Sequence, residues 1–121
     1  MKPLVYIAGP INGNPWGCVS AALPAFHDLI DAGCVPFAPQ FSIVAAIADP
    51  DADDYERWME YDFDVIRLCS GLVRLPGVSP GADREVELAG ELGMPVISYD
   101  LATSESWTQF VGACKNVVGA A

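Results

Sequence analysis

The sequence predicts a single α/β domain, built on a small parallel sheet of four or five strands. Its 121 residues fit one domain, 1–121, and leave no room for two. Short apolar runs alternate with segments of helical length, an order typical of βαβ units. The first and last apolar runs are continuous rather than alternating in polarity, as in strands covered on both faces. These observations predict a flavodoxin- or Rossmann-like three-layer sandwich.

The predicted elements alternate along the whole chain. The strands are Leu4–Ala8, Val35–Ala38, Leu72–Leu75 and Pro95–Tyr99, and the helices cover about 18–32, 54–69, 82–92 and 104–118. Gly33 ends the first helix, and Gly93 followed by Pro95 ends the third. Residues 39–53 form the one long connection, and such loops often cover a functional site.

Composition restricts the possible partners and the compartment. Sixteen acidic residues against six basic ones give a net charge of -10, whereas nucleic-acid polymers and anionic membranes require a basic face. A small phosphorylated ligand is still allowed, because amides at a helix N-terminus can hold one phosphate. No apolar stretch is long enough for a bilayer span, and the N-terminus lacks a signal-peptide cleavage site. We therefore expect a cytoplasmic protein.

The cysteine and histidine content argues against a metal centre. Cys18, Cys34, Cys69 and Cys114 form no C-x-x-C pair, and His27 is the single histidine. The cysteines are therefore predicted to be reduced, buried and small hydrophobic residues. A Ser-His-Asp mechanism would depend on His27 alone and is not favoured. A zinc site is therefore not expected.

Two carboxylates fall on helix faces that are otherwise apolar. On a helical wheel of 82–92, Glu85 lies within the apolar arc. On the wheel of 54–69, Asp62 lies in the middle of the apolar face, whereas Asp64 lies on the polar face. An ionised carboxylate is costly to bury without partners, so the two suggest a shared polar pocket; otherwise each caps a backbone or pairs with an arginine. Two carboxylates in one cleft can together break a glycosidic bond.

Glycine-containing turns follow the first and third strands, where the carboxyl ends of parallel strands leave a ligand crevice. Ser79 is a good N-cap and Pro80 a good first helical residue, so the amides at 80–83 either bind an anion or simply cap the helix. The turn at 9–14 matches neither a dinucleotide-binding nor a Walker motif, yet its glycines permit close approach of a ligand. Trp16, just beyond it, either stacks on a base or belongs to the core.

The ordered motifs resemble those of the nucleoside 2-deoxyribosyltransferase superfamily. The resemblance rests on Tyr6-Ile7-Ala8-Gly9-Pro10, on Asp62, and on Gly81-Ala82-Asp83-Arg84-Glu85 followed by Ala89. Together with Leu75-Pro76-Gly77, the last run is especially similar to the short phage and prophage members. The resemblance covers about residues 4–99. It implies an enzyme of 2′-deoxynucleotides or deoxynucleosides that needs no metal and no cofactor.

The resemblance also implies a role for each matching residue. Glu85 would attack C1′ of the deoxyribose, Asp62 would protonate or orient the leaving base, and Tyr6 would line the nucleophile pocket. Ser79 matches a serine that binds the 5′-phosphate in the deoxynucleoside-monophosphate N-glycosidase branch, where the position of Asn12-Gly13 carries a basic residue. The substrate-binding residues predicted in this way are Gly9, Pro10, Asn12, Gly13, Trp16, Ser79 and Gly81.

The implied reaction retains configuration, because Glu85 would form a glycosyl ester that water or a second base then cleaves. Two other functions are open at this stage: a non-catalytic nucleotide-binding module that keeps the pocket, and a phage interaction protein without a ligand. Arg74, which interrupts the third strand, either pairs with a site carboxylate or lies at a sheet edge.

Assembly is the last expectation. The segment 54–69 is apolar over more than half its circumference, and Met59 and Phe63 extend that arc beyond what one sheet face can cover. Members of the superfamily are typically dimers or higher oligomers. We therefore expect a homodimer or a higher homo-oligomer. The C-terminal segment Trp107–Val118 either reaches a partner's site or covers its own sheet.

Overall fold

The computed structural model describes residues 1–11, 14–42 and 55–120, and these ranges contain one four-stranded sheet. Its strands are β1 (Leu4–Ala8), β2 (Val35–Phe37), β3 (Gly71–Arg74) and β4 (Val96–Ser98). They lie in the order β2-β1-β3-β4, and every pairing is parallel. The predicted α/β class is confirmed.

Within the described ranges, two helices pack on each face of the sheet. The helices are α1 (Pro15–Asp31), α2 (Tyr55–Arg67), α3 (Pro80–Glu91) and α4 (Ser104–Ala120), with 3-10 turns at Pro39–Ser42 and Tyr99–Leu101. Side chains of α1 and α4 share one hydrophobic cluster with the sheet, and side chains of α2 and α3 share the other. The result is the predicted three-layer sandwich.

The inner strand β1 shows why the first apolar run is continuous, whereas the last run forms β4 at the edge of the sheet. In β1, Val5 and Ile7 point to the α1/α4 face while Tyr6 and Ala8 point to the α2/α3 face, and all four are fully buried. Alternation along a strand sends successive side chains to opposite faces, so a strand covered on both sides carries no polar face. The continuous apolar run Leu4–Ala8 in the sequence predicted this coverage on both faces.

Element boundaries differ from the predicted ones where a local signal was missed. Helix α1 begins at Pro15 rather than near residue 18, because the Asn14 side chain accepts a hydrogen bond from the Gly17 amide at 3.2 Å and caps the helix. Strands β2 and β4 stop early, because the chain enters 3-10 turns at Pro39 and Tyr99. These shifts leave the order of elements unchanged.

The cysteines and the last helix behave as ordinary core. All four cysteines are buried and none forms a disulfide, as predicted. Helix α4 places Phe110, Val111 and Cys114 in the cluster that it shares with the sheet, so the C-terminal segment covers its own sheet. Among the helices of the described ranges, none combines the length and apolar character that crossing a membrane requires.

Candidate functional site

Each helix on the α2/α3 face buries a short stripe with a carboxylate in its middle. The stripe of α2 is Met59, Asp62 and Ile66, and that of α3 is Ala82, Glu85 and Ala89. Both stripes have spacings of three and four residues, which place their members on one side of a helix. Asp62 is 8 % exposed and Glu85 is 4 % exposed. The sequence prediction that both carboxylates point inward is confirmed.

Tyr6 of β1 joins the two carboxyl groups. Its hydroxyl donates a hydrogen bond to Oε2 of Glu85, and its side chain also interacts with Asp62 by hydrogen bonding. The ring is fully buried and stacks against Phe37, with 5.8 Å between the ring centroids. One strand and two helices thus bring a phenol and two carboxyls into one buried cluster, which we call the Tyr6 cluster.

Burial is the largest influence on the pKa values of the groups in this cluster. It raises the pKa of Asp62 to about 6, although the hydrogen bond with Tyr6 opposes the shift. Burial raises the pKa of Glu85 further, to about 8, with Asp62 adding to the shift and Tyr6 and Arg74 opposing it. The pKa of Tyr6 lies far above its ordinary value, because its ring is buried beside two carboxylates. Tyr6 therefore remains a hydroxyl at any ordinary pH.

The two pKa values place one proton on the carboxyl pair near neutral pH. In this range of pH the two carboxyls share a proton, and burial favours the protonated form of Glu85 more strongly than that of Asp62. The resemblance implies the opposite distribution, with Glu85 ionised for attack and Asp62 protonated. Burial thus opposes the ionised form of Glu85 that the resemblance requires for attack.

The β3–α3 turn carries Ser79 at the helix start. Ser79 Oγ accepts a hydrogen bond from the Ala82 amide at 3.1 Å, and the Ser79 carbonyl accepts one from the Asp83 amide at 3.0 Å. Pro80 has no N–H, so only the Gly81 amide of the predicted anion site is left without a described partner. The predicted N-cap is confirmed. The hydroxyl of Ser79 keeps its own hydrogen for donation to a ligand.

Arg74 lies in neither of its two expected places. Its strand, β3, runs between β1 and β4 and is therefore not a sheet edge. Its guanidinium donates to the carbonyls of Leu75 and Gly77 and pairs with Asp83 at 3.0 Å. Asp83 is exposed and is not part of the Tyr6 cluster. Arg74 therefore fastens the turn between β3 and α3.

The turn after β1 packs against the turn after β3. A side chain at Gly9 would come within 2.9 Å of Leu75 Cβ and 3.2 Å of Gln40 Nε2, so this glycine allows a close approach of protein rather than of ligand. Pro10 lies against Gly77, where a φ of +114° favours glycine. Pro10 and Leu75 also line a cavity of about 580 Å³ on the α1 side.

The other predicted contacts have mixed outcomes. Gly81 packs near Tyr55 and Met59, where a Cβ would lie 3.3 Å from the tyrosine hydroxyl oxygen. Trp16 is the second residue of α1 rather than a loop residue, and at 67 % exposure it belongs to the surface rather than to the core. Asn12, Gly13 and most of the long connection over 39–53 lie outside the described residues.

Gln40 is a candidate that sequence reasoning missed. It follows β2 in the 3-10 turn Pro39–Ser42 and is completely buried. Within the described ranges, neither Nε2 nor Oε1 of this side chain has a hydrogen-bond partner. An unpaired buried amide costs free energy unless a ligand or water satisfies it. Its position after a strand, at the carboxyl edge where ligands bind, was the signal that could have identified it.

No metal centre accompanies these groups in 1–11, 14–42 and 55–120, where His, Cys, Asp and Glu side chains form no cluster of three or more suited to an ion. The fold and site together define a parallel α/β protein with a buried tyrosine–carboxyl cluster. The chain belongs to the family described as domain of unknown function DUF7768, whose model matches residues 3–99. That range includes the whole sheet and the Tyr6 cluster. A search of curated proteins finds no match.

Proposed function

We propose that the protein cleaves or transfers the N-glycosidic bond of a 2′-deoxynucleotide or deoxynucleoside. The observation that carries the proposal is the Tyr6 cluster, in which two buried carboxyls with unlike pKa values share one phenol. Carboxyl pairs whose environments separate their pKa values divide into a proton-handling group and a nucleophile. The motif resemblance supports the same chemistry and the same residues.

Tyr6 supplies a route between the resting and the reactive protonation states. Once the Tyr6 hydroxyl turns its hydrogen from Glu85 to Asp62, Glu85 passes its proton to the Tyr6 oxygen and Tyr6 passes its own to Asp62, so that Glu85 becomes ionised and Asp62 becomes an acid. The net charge of the cluster does not change. The positive charge that develops at C1′ favours the ionised form of Glu85 and therefore opposes the effect of burial on this carboxyl.

The reaction then uses each group once per half-reaction. Glu85 attacks C1′, the bond from C1′ to the base breaks, and Asp62 gives its proton to the departing base. Water or a second base next attacks C1′ of the ester, releasing Glu85 as a carboxylate, while Asp62 accepts the proton of the incoming nucleophile. Tyr6 donates a hydrogen bond to Glu85 and holds its carboxylate in place.

Substrate contacts are proposed around the two turns. The Ser79 hydroxyl and the Gly81 amide would hold a 5′-phosphate at the start of α3. The unpaired amide of Gln40 offers one donor and one acceptor, which match the paired donor and acceptor on the edge of a nucleobase. Trp16, exposed at the start of α1, is a candidate to stack on the base.

The test is a panel of deoxynucleoside monophosphates and free deoxynucleosides, analysed for released base with and without an acceptor base. We expect release from at least one substrate, with a bell-shaped pH dependence whose limbs fall near 6 and 8. A Ser79-bound phosphate predicts that monophosphates are preferred. Absence of base release at every pH from 5 to 9 would contradict the proposal.

One observation favours a second function, that of a non-catalytic nucleotide-binding module. Glu85 is mainly protonated near neutral pH, and a protonated carboxyl can donate a hydrogen bond to a ligand but cannot attack it. Such a module would show ligand-induced stabilisation without base release. Thermal melts with the same panel separate it from the enzyme and from an interaction protein that binds no nucleotide.

We also propose a homodimer as the working unit, although the structure changes the reason. Met59 is buried within its own chain, and Arg84 lies over the ring of Phe63 at 5.5 Å from its centroid, so neither residue extends an uncovered arc. Tyr55, Tyr61 and Leu68 remain exposed along and just after α2. Sedimentation at micromolar concentration is expected to show a species twice the monomer mass; a fully active 12.9 kDa monomer would contradict it.

A further inference from the structure

Arg74 is a mostly buried charged side chain to which the proposed reaction gives no role. It is one of six basic residues in a chain of net charge -10, and its side chain is only 16 % exposed. By contrast, the arginines of the Arg67–Asp64 and Arg84–Glu56 ion pairs are largely solvated. A mostly buried guanidinium needs nearby acceptors, so its surroundings indicate what it does.

The register of the sheet places Arg74 beside the Tyr6 cluster. Arg74 pairs with Ala8 of β1, and Leu72 pairs with Tyr6. Because alternate residues of a strand share a face, Arg74 leaves β3 on the same side as Leu72 and Tyr6, the side that α3 covers. The charge of Arg74 is close enough to Glu85 to lower the pKa of that carboxyl.

The bonds of Arg74 link the strand to the helix that carries Glu85. Two of them end on carbonyls of the turn, those of Leu75 and Gly77, and the third ends on Asp83 in the first turn of α3. Glu85 lies two residues after Asp83. A rigid fork of donors that spans strand, turn and helix fixes the start of α3 relative to the sheet.

We propose that Arg74 is a positioning residue for Glu85, because its guanidinium fixes the β3–α3 turn and holds a shielded positive charge beside the Tyr6 cluster. The effect of Arg74 on kcat rests on the proposed function, whereas its effect on the pKa of Glu85 does not. Arg74 favours the ionised form of Glu85, which is the form that attacks. It acts against the burial and the Asp62 charge that keep Glu85 protonated.

Among the described residues, the charged and titratable groups around Glu85 come from four elements. They are Tyr6 from β1, Asp62 from α2, Arg74 from β3 and Asp83 from α3 itself, the last acting through its ion pair with Arg74. Removing the positive charge of Arg74 therefore raises the pKa of Glu85. Removing the negative charge of Asp83 leaves Arg74 less compensated, so the pKa of Glu85 stays constant or falls. The loss of the Asp83 charge is therefore the matched control for the loss of the Arg74 charge, because only the second should raise the pKa of Glu85.

The experiment measures the pKa of Glu85 directly, by carboxyl-carbon NMR titration of the wild-type protein and of the Arg74→Gln, Arg74→Lys and Asp83→Asn variants. We expect Arg74→Gln to raise this pKa by about half a unit or more, and Arg74→Lys to leave it near the wild-type value. Asp83→Asn is expected not to raise it. An unmoved pKa in Arg74→Gln, or a rise in Asp83→Asn, would overturn the proposal.

Kinetics supply the second readout. Arg74→Gln should lower kcat at the pH optimum about tenfold and move the alkaline limb upward, whereas Arg74→Lys should recover most of kcat. Equal losses of kcat in both variants would overturn the electrostatic role. If Arg74→Gln does not fold, the proposal is decided by Arg74→Lys and Asp83→Asn. If the wild-type protein releases no base, the proposed function fails, while the titration still tests Arg74.

Discussion

The two faces of the sheet use the same helical spacing for opposite purposes. Helix α1 buries Cys18, Ala22, Ala25 and Leu29, an apolar stripe with intervals of three and four residues. Helix α3 buries Ala82, Glu85 and Ala89 with the same intervals, but its central member is a carboxyl. One face therefore stabilises the fold by burial, and the other accepts the cost of a buried carboxyl, which the proposed function would explain.

Small residues beside Glu85 reduce the free-energy cost of burying its carboxyl. Ala82 and Ala89 flank Glu85 on α3, so the helix lies close to β1 and the carboxyl reaches the Tyr6 hydroxyl. A carboxyl with such a partner is retained at a raised pKa, whereas one without a partner would disrupt the core. The comparison of faces can be tested by moving a carboxyl from one to the other.

The largest effect is expected from placing a carboxyl on the apolar face. Ala25→Asp introduces a buried acid among Val5, Ile7 and their neighbours, where the cluster offers no partner, and should lower the free energy of unfolding by about 3 kcal/mol or more. Ala21→Asp, at an exposed position of the same helix, is the matched control and should cost little. Equal costs in urea denaturation would show that the two faces do not differ as described.

The second test removes the buried carboxyl of α3, which belongs to Glu85. The pKa of Glu85 rises from an ordinary 4.5 to about 8 on folding, so its contribution to stability is complete below 4.5 and is lost as pH rises to about 8. Because glutamine does not ionise, the free energy of unfolding of Glu85→Gln should rise progressively above that of the wild type across that window, by at most about 5 kcal/mol. Glu87→Gln, an exposed change on the same helix, should show no such trend. A flat difference for Glu85→Gln would contradict burial of this carboxyl.

The next effect separates the two acids of α2. Asp62→Asn should lower the rate of base release about a hundredfold, because the leaving base loses its proton donor. Asp64→Asn should change the rate less than about threefold, since Asp64 is exposed and pairs with Arg67. Steady-state kinetics on the preferred substrate make the comparison. The opposite ranking would mean that the inward face of α2 is not the functional one.

The smallest expected effect concerns Gln40, whose buried amide has no described hydrogen-bond partner. Gln40→Met removes two unpaired buried atoms, so the melting temperature without ligand should stay the same or rise. KM should rise about tenfold, because the base loses its hydrogen bonds, while kcat changes less. A lower melting temperature together with an unchanged KM would show that Gln40 serves the fold alone.

Sequence reasoning reached the parts of this account that depend on local periodicity. The inward positions of Asp62 and Glu85 followed from helical spacing, and the Ser79 cap followed from turn chemistry. Gln40 and Arg74 were not resolved, because their surroundings depend on contacts between separate elements. Gln40 is buried only once the β1 turn closes over it, and the partners of Arg74 lie across a turn and a helix start. The Tyr6–Glu85 bond spans 79 residues, and only the family resemblance suggested that the two meet.

The central claim is that Glu85 forms a covalent bond with the sugar, and one measurement tests it directly. The protein is incubated near pH 7 with a 2′-fluorinated analogue of its preferred substrate, which slows hydrolysis of a glycosyl ester, and is then digested for peptide mass spectrometry. The account predicts a mass increase equal to the bound sugar on the peptide that contains Glu85, and none in the Glu85→Gln variant. An adduct on Asp62, or base release from the analogue with no adduct on Glu85, would contradict it.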